Sequence, residues 1–144
     1  MKRFLPLLFV VGCATAPTAK TPEEIAYLAG IADEAVEFDL QKSASDDAWG
    51  RAQVFLAKHS SMKVQTATPN LVENYTPTPD AMNPNYGYRV TRAVGPKGEH
   101  FSVECFTGNP YAGPGMAGIP ARNAKILANY IKTANLPYPH LIAK

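Results

Sequence analysis

Tyr86-Gly87-Tyr88-Arg89-Val90-Thr91 and Phe101-Ser102-Val103-Glu104-Cys105, connected through Gly95-Pro96-Lys97-Gly98, decide the fold. In the first run Tyr86, Tyr88 and Val90 alternate with Gly87, Arg89 and Thr91. In the second, Phe101, Val103 and Cys105 alternate with His100, Ser102 and Glu104. A period of two is the mark of a strand with one buried face. Gly95-Pro96-Lys97-Gly98 turns one run back on the other, so together they predict an antiparallel hairpin.

The stretch before it repeats the pattern more weakly. Met62, Val64 and Thr66 alternate with Lys63, Gln65 and Ala67, and Thr68-Pro69-Asn70 supplies turn chemistry. Residues 71–76 then read as the returning strand, with one long kinked strand as the competing reading. Residues 76–85, with three prolines, and 107–118, with four glycines and two prolines, read as loops. The second of these lacks the Lys-Ser/Thr ending of a phosphate loop.

Helices flank the strands. Thr21-Pro22-Glu23-Glu24 predicts a capped start, with Thr21 as cap, Pro22 at the first helical position and Glu24 closing a capping box. Ile25, Leu28, Ala29, Ala32, Ala35, Val36 and Leu40 follow at helical spacing, predicting about five turns that end near Lys42-Ser43. A second helix is expected after Ser45 or Asp46, with Trp49, Ala52, Phe55 and Leu56 inward. A last one is expected from about Pro120 to Ala134, ended by Asn135 in the left-handed conformation. Residues 136–142 are too apolar for a solvated tail and should run across the edge of the core. The predicted fold is α+β: an antiparallel sheet of about four strands, with two N-terminal helices and one C-terminal helix packed on one face.

The chain starts with Met1-Lys2-Arg3, an apolar run from Phe4 to Val11, and then Gly12-Cys13. Basic, apolar and small residues in that order describe a secretory signal, and the run is far short of the roughly 20 residues of a membrane span. Val10-Val11-Gly12-Cys13 resembles the lipobox of bacterial lipoproteins. The resemblance implies removal of residues 1–12 as signal peptide, lipidation of Cys13 by diacylglyceryl and fatty acyl (palmitate-type) chains, and residues 13–20 as a tether to a single domain at 21–144. With Ala14 following the cysteine, it further implies a periplasm-facing protein held to the bacterial outer membrane.

Without residues 1–12 the chain keeps 132 residues and twelve bases against twelve acids, which argues against nucleic-acid binding through bulk charge. Charge is unevenly placed. Residues 23–47 hold eight acids and one base, while 48–144 hold ten bases and four acids. Either the acidic segment folds against the basic remainder or it faces a basic partner.

The sequence holds two cysteines, so a lipidated Cys13 leaves Cys105 without an intramolecular partner. Its strand parity predicts an inert core thiol. His59, His100 and His140 lack a second ligand at helical spacing, so no metal or other cofactor is expected. The row His100, Ser102 and Glu104 reads either as a proton relay or as an ordinary solvated sheet face. Tyr75, Tyr86, Tyr88 and Tyr111 are candidates for an aromatic binding surface, although parity sends Tyr86 and Tyr88 to the core. The expectation is a non-catalytic binding or assembly module of the cell envelope, with a membrane and an envelope protein or glycan as partners. The alternative is a small envelope hydrolase using Cys105 or His100 and Glu104.

Overall fold

The structure, a computed structural model, describes residues 19–79, 85–108 and 118–142. The leader, Cys13, the first part of the tether, Tyr111 and most of the glycine-rich loop lie outside the described residues. The elements run α1 (Pro22–Gly30), β1 (Glu37–Leu40), α2 (Lys42–His59), β2 (Val64–Ala67), β3 (Leu71–Asn74), β4 (Tyr86–Gly95), β5 (Gly98–Thr107) and α3 (Ile119–Thr133), followed by a 3-10 turn at Pro139–Leu141. The strands form an antiparallel sheet in the order β1-β5-β4-β3-β2. The fold is α+β with five strands in place of the expected four.

The fifth strand comes from the stretch expected to extend the first helix. Glu24 and Thr21 close the capping box, but α1 stops at Gly30. Phe38 and Leu40 then face the core and Glu37 and Asp39 face out, paired with β5 from Glu37↔Ser102 to Leu40↔Glu99. The alternation in Val36-Glu37-Phe38-Asp39-Leu40 carries this signal, and β5 offers an open edge that repays it with ladder hydrogen bonds. Stacking of Phe38 on Phe101, with ring centroids 5.6 Å apart, fixes the register. Four or five residues earlier than expected, α2 begins at Lys42.

The hairpin of β4 and β5 is the spine. It pairs Tyr86↔Thr107 through Gly95↔Gly98, with Pro96 and Lys97 at the turn. Gly98 is required there: its φ is 139°, and a Cβ would lie 2.1 Å from the carbonyl oxygen of Leu40. β2 and β3 form the second hairpin, its turn fixed by Thr68 Oγ1, which accepts from the N–H groups of Asn70 and Leu71 at 3.3 and 3.0 Å.

The core lies between one sheet face and the pair α2 and α3. Trp49, Ala52, Phe55 and Leu56 from α2 and Ile126, Leu127, Ala128 and Ile131 from α3 cover Val72, Tyr88, Val90, Phe101 and Val103. α1 joins at the rim through Tyr27, Leu28 and Ile31. Buried Asn74 is satisfied, donating to the Met62 carbonyl at 2.9 Å and accepting from the Tyr88 N–H at 3.1 Å. At the hairpin end Arg92 meets Asp46 at 2.8 Å and Glu99 at 3.3 Å, and lies 4.9 Å from the centroid of the Trp49 ring. Lys42 closes on the same Glu99 carboxylate. This cluster locks the start of α2 to the hairpin.

Two expected ends differ. Ala134, not Asn135, takes the left-handed conformation after α3, with φ 60°, and its N–H reaches the Tyr130 carbonyl at 2.9 Å. Ala134 bears the steric cost of that conformation, about 1–2 kcal/mol. Residues 136–142 coil into the 3-10 turn and bury Leu141 and Ile142, so the segment covers the core edge without running fully extended.

Candidate functional site

Alternation along β5 sends its two sets of polar groups to opposite faces. Inward, Cys105 follows Phe101 and Val103, and its sulfur takes hydrogen bonds from the Tyr88 hydroxyl and the Asn123 side chain. Asn123 also donates to the Tyr88 oxygen at 3.1 Å. Tyr88 and Asn123 are both fully buried. Burial pushes the Cys105 thiol up to about 12, against the opposing pull of the two hydrogen bonds. The sulfur is thus a neutral thiol at ordinary pH, and neither of its partners is a histidine. A nucleophilic cysteine needs the reverse, a depressed pKa and an adjacent base.

Beside this group opens a cavity of about 740 Å³ between the end of β5 and the first half of α3. Val36, Phe106, Pro120, Ala121 and Ala124 make its apolar wall, and Arg89, Glu104 and Lys125 stand among its polar lining. That size and mixture match a small-ligand cleft. Phe106 is placed there by Gly87, its partner across the hairpin: a Cβ on Gly87 would come within 2.5 Å of the Phe106 ring.

Outward, His100, Ser102 and Glu104 lie on a sheet face that α2 and α3 leave open. His100 Nδ1 sits 2.8 Å from Asp39 Oδ1, its partner in the β1–β5 register. Glu104 takes a hydrogen bond from Arg89 at 3.1 Å, and Arg89 also holds Glu73 at 2.6 Å. Ser102 lies two residues from His100, about 7 Å along the strand, too far for the imidazole to take its proton. The hollow at Arg89, Thr91, Ser102 and Glu104 measures about 130 Å³ and does not include His100. The row is a set of polar groups on a solvated face, His100 hydrogen-bonded to Asp39 and Glu104 paired with Arg89.

His140 approaches Glu24, joining the start of α1 to the C-terminal turn. The Thr21 backbone N–H and then the His140 hydrogen bond hold the Glu24 carboxyl below its ordinary range. His59 packs its ring against Phe55 at 5.0 Å. The three histidines stay in separate places, and among the described residues no group of three His, Cys, Asp or Glu side chains converges to hold a metal ion. Tyr86 and Tyr88 are core residues and Tyr75 is exposed, so these three do not form one aromatic surface.

Two of the eight acids of residues 23–47 pair with a Lys or Arg of the later segment, Glu34 with Lys132 and Asp46 with Arg92, and two more, Glu24 and Asp39, meet His140 and His100. Glu34 also accepts from Asn129 at 3.1 Å. Burial pushes the Glu34 carboxyl up, and the bonds from Lys132 and Asn129 outweigh it and hold the group below 4.5. Part of the charge split is thus an intramolecular seam.

Sequence reading did not find the Asp39, Glu24 or Asn123 contacts. Asp39 lay in a stretch read as helix, and Glu24 meets its partner across the whole domain. Asn123 did carry a signal, as a polar residue in the apolar stripe of the last helix. Among the described residues no helix is long and apolar enough to cross a membrane. Comparison of the chain with protein-family models, curated proteins and solved structures finds no match.

Proposed function

We propose that this chain is a cell-envelope lipoprotein, anchored through Cys13, whose domain works as a non-catalytic binding or assembly module facing the periplasm. The observation that carries the binding reading is the cavity beside Cys105. It has the volume and the apolar wall of a ligand cleft, while the thiol in its lining is neutral and hydrogen-bonded to Tyr88 and Asn123 instead of to a histidine. The hydrolase alternative needs an activated group, and neither the Cys105 surroundings nor the solvated polar row at His100 and Glu104 supports one. The anchor follows from the Val10-Val11-Gly12-Cys13 pattern. An envelope protein or glycan is the partner that fits this location.

A photo-reactive residue in place of Ala121, an exposed position on the cavity rim, tests the binding reading in intact envelopes. A discrete adduct is expected, and Cys105→Ala in the same chain should retain it. An adduct that disappears with Cys105→Ala, in a protein that melts normally, would favour the hydrolase. No adduct from the rim would remove the cavity as the binding site.

A further inference from the structure

We propose that the concavity at the root of the tether docks the phosphate headgroups of the membrane that holds the chain; this rests on the anchor at Cys13. Three observations converge on that face.

The first is position. Ala19 and Lys20 line a concavity of about 480 Å³ together with Glu24, Arg122, His140 and Leu141. Lys20 is seven residues from Cys13. Seven residues span at most about 25 Å, and about 15 Å on average as a flexible coil. A lipid on Cys13 therefore keeps this face near the bilayer, where attraction between charges acts over about 8 Å at physiological salt.

The second is the set of cations around the concavity, with Arg122 in its lining. Arg122 Nη2 donates to the Leu141 carbonyl at 3.1 Å, and the buried Nε has no acceptor among the described residues. A planar guanidinium presents its donors in a fork that fits phosphate oxygens. Lys20 adds an exposed ammonium. A neighbouring concavity of about 490 Å³ shares His140 and adds Lys58 and His59. The carboxylate inside the first concavity is Glu24, already held by the Thr21 N–H and by His140. Glu23, in the same helical turn, is the other acid of that element.

The third is the opposite polarity across the sheet. The open face carries Glu37, Asp39, Glu73 and Glu104 against Arg89 and His100. An anionic surface attracts the local cluster of Lys20, Lys58 and Arg122 at the concavity and repels the sheet face, so the molecule would sit with its sheet turned away from the lipid.

The test uses the full chain with Cys13→Ser, so that no lipid contributes, in co-sedimentation with phosphatidylcholine vesicles with and without phosphatidylglycerol. Binding is expected on the anionic vesicles and should fall with added salt. Each cation removed should weaken it about fivefold, so Lys20→Gln with Lys58→Gln should cost about 25-fold. These two exposed positions avoid Arg122, which also holds Leu141; Arg122→Lys should retain binding in part. The leader is common to every arm, so equal binding by parent and double variant would assign the attraction to residues 1–12 and overturn the proposal. Release by inorganic phosphate beyond that of chloride at equal ionic strength is expected of a site that reads the phosphate group, whereas binding of inorganic phosphate with no binding to anionic vesicles would assign the site to free phosphate and overturn the proposal. Fatty-acid labelling of the unmutated chain is read separately. Its failure removes the anchor, whereas loss of vesicle binding removes only this face.

Discussion

Replacing Cys105 separates the binding reading from the hydrolase reading, and the surroundings of its sulfur set the size of the effect. Cys105→Ala removes one sulfur atom from a half-buried position in the cavity lining, beside Tyr88 and Asn123. The lost packing costs on the order of 1 kcal/mol. The Tyr88 hydroxyl still accepts from Asn123 at 3.1 Å but loses the acceptor for its own proton in a buried site, which costs roughly 1 kcal/mol or more in addition. A melting point lower by about 5–10 °C is the expected result. Cys105→Asp should be far worse. Burial moves the thiol from 9.0 to about 12, so an ionised group there is penalised by roughly 4 kcal/mol, and a carboxylate ionised at neutral pH meets the same medium. The assay is thiol labelling of the Cys13→Ser chain, in which Cys105 is the one remaining cysteine, with and without denaturant. Labelling slower without denaturant than with it, and rising only in strong alkali as the raised thiol demands, is expected. Rapid labelling of the folded chain at neutral pH, with a labelling pKa well below 9.0, would refute the reasoning and bring the hydrolase forward.

Other expectations follow from the same contacts. Glu34→Lys breaks the pair with Lys132 and the bond from Asn129 and should cost about 1–2 kcal/mol in chemical denaturation. Asp33→Lys and Glu37→Lys, which make no ion pair among the described residues, should be near neutral, and equal losses from all three would contradict the seam. Gly98→Ala should destabilise by roughly 3 kcal/mol or more, because a Cβ there meets the Leu40 carbonyl at φ 139°; an unchanged melting point would dissociate Gly98 from the β1 contact. Glu24, Glu34, Asp46 and Glu99 are all held below their ordinary values. Their contribution is fully present above pH 4.5, the ordinary glutamate value, and is lost as pH falls through the lower folded values. Stability measured by denaturant should therefore fall with acidification below that point, and a rise would reverse the sign.

The parts of the fold legible in the sequence are those whose pattern is local. Alternation at Tyr86–Thr91 and His100–Cys105 named the central hairpin with its inward residues, and Thr21, Pro22 and Glu24 marked the start of α1. β1 was missed because residues 32–40 satisfy a helical spacing and a strand spacing at once. The choice is made by an open edge of β5 more than sixty residues later, and by the stacking of Phe38 on Phe101. The same long range hid the cluster of Arg92, Glu99, Lys42 and Asp46, where charges that look like solvated surface close over Trp49. At the site, strand parity gave the inward placement of Cys105. Its partners Tyr88 and Asn123 come from two other elements and have no sequence spacing to announce them.

The central claim, a lipoprotein anchored at Cys13, is tested most directly by metabolic labelling with an alkyne fatty acid in cells making either the unmutated chain or Cys13→Ser. The account predicts label and membrane fractionation for the unmutated chain and neither for the variant. Equal labelling of the two, or no label on either, would contradict it.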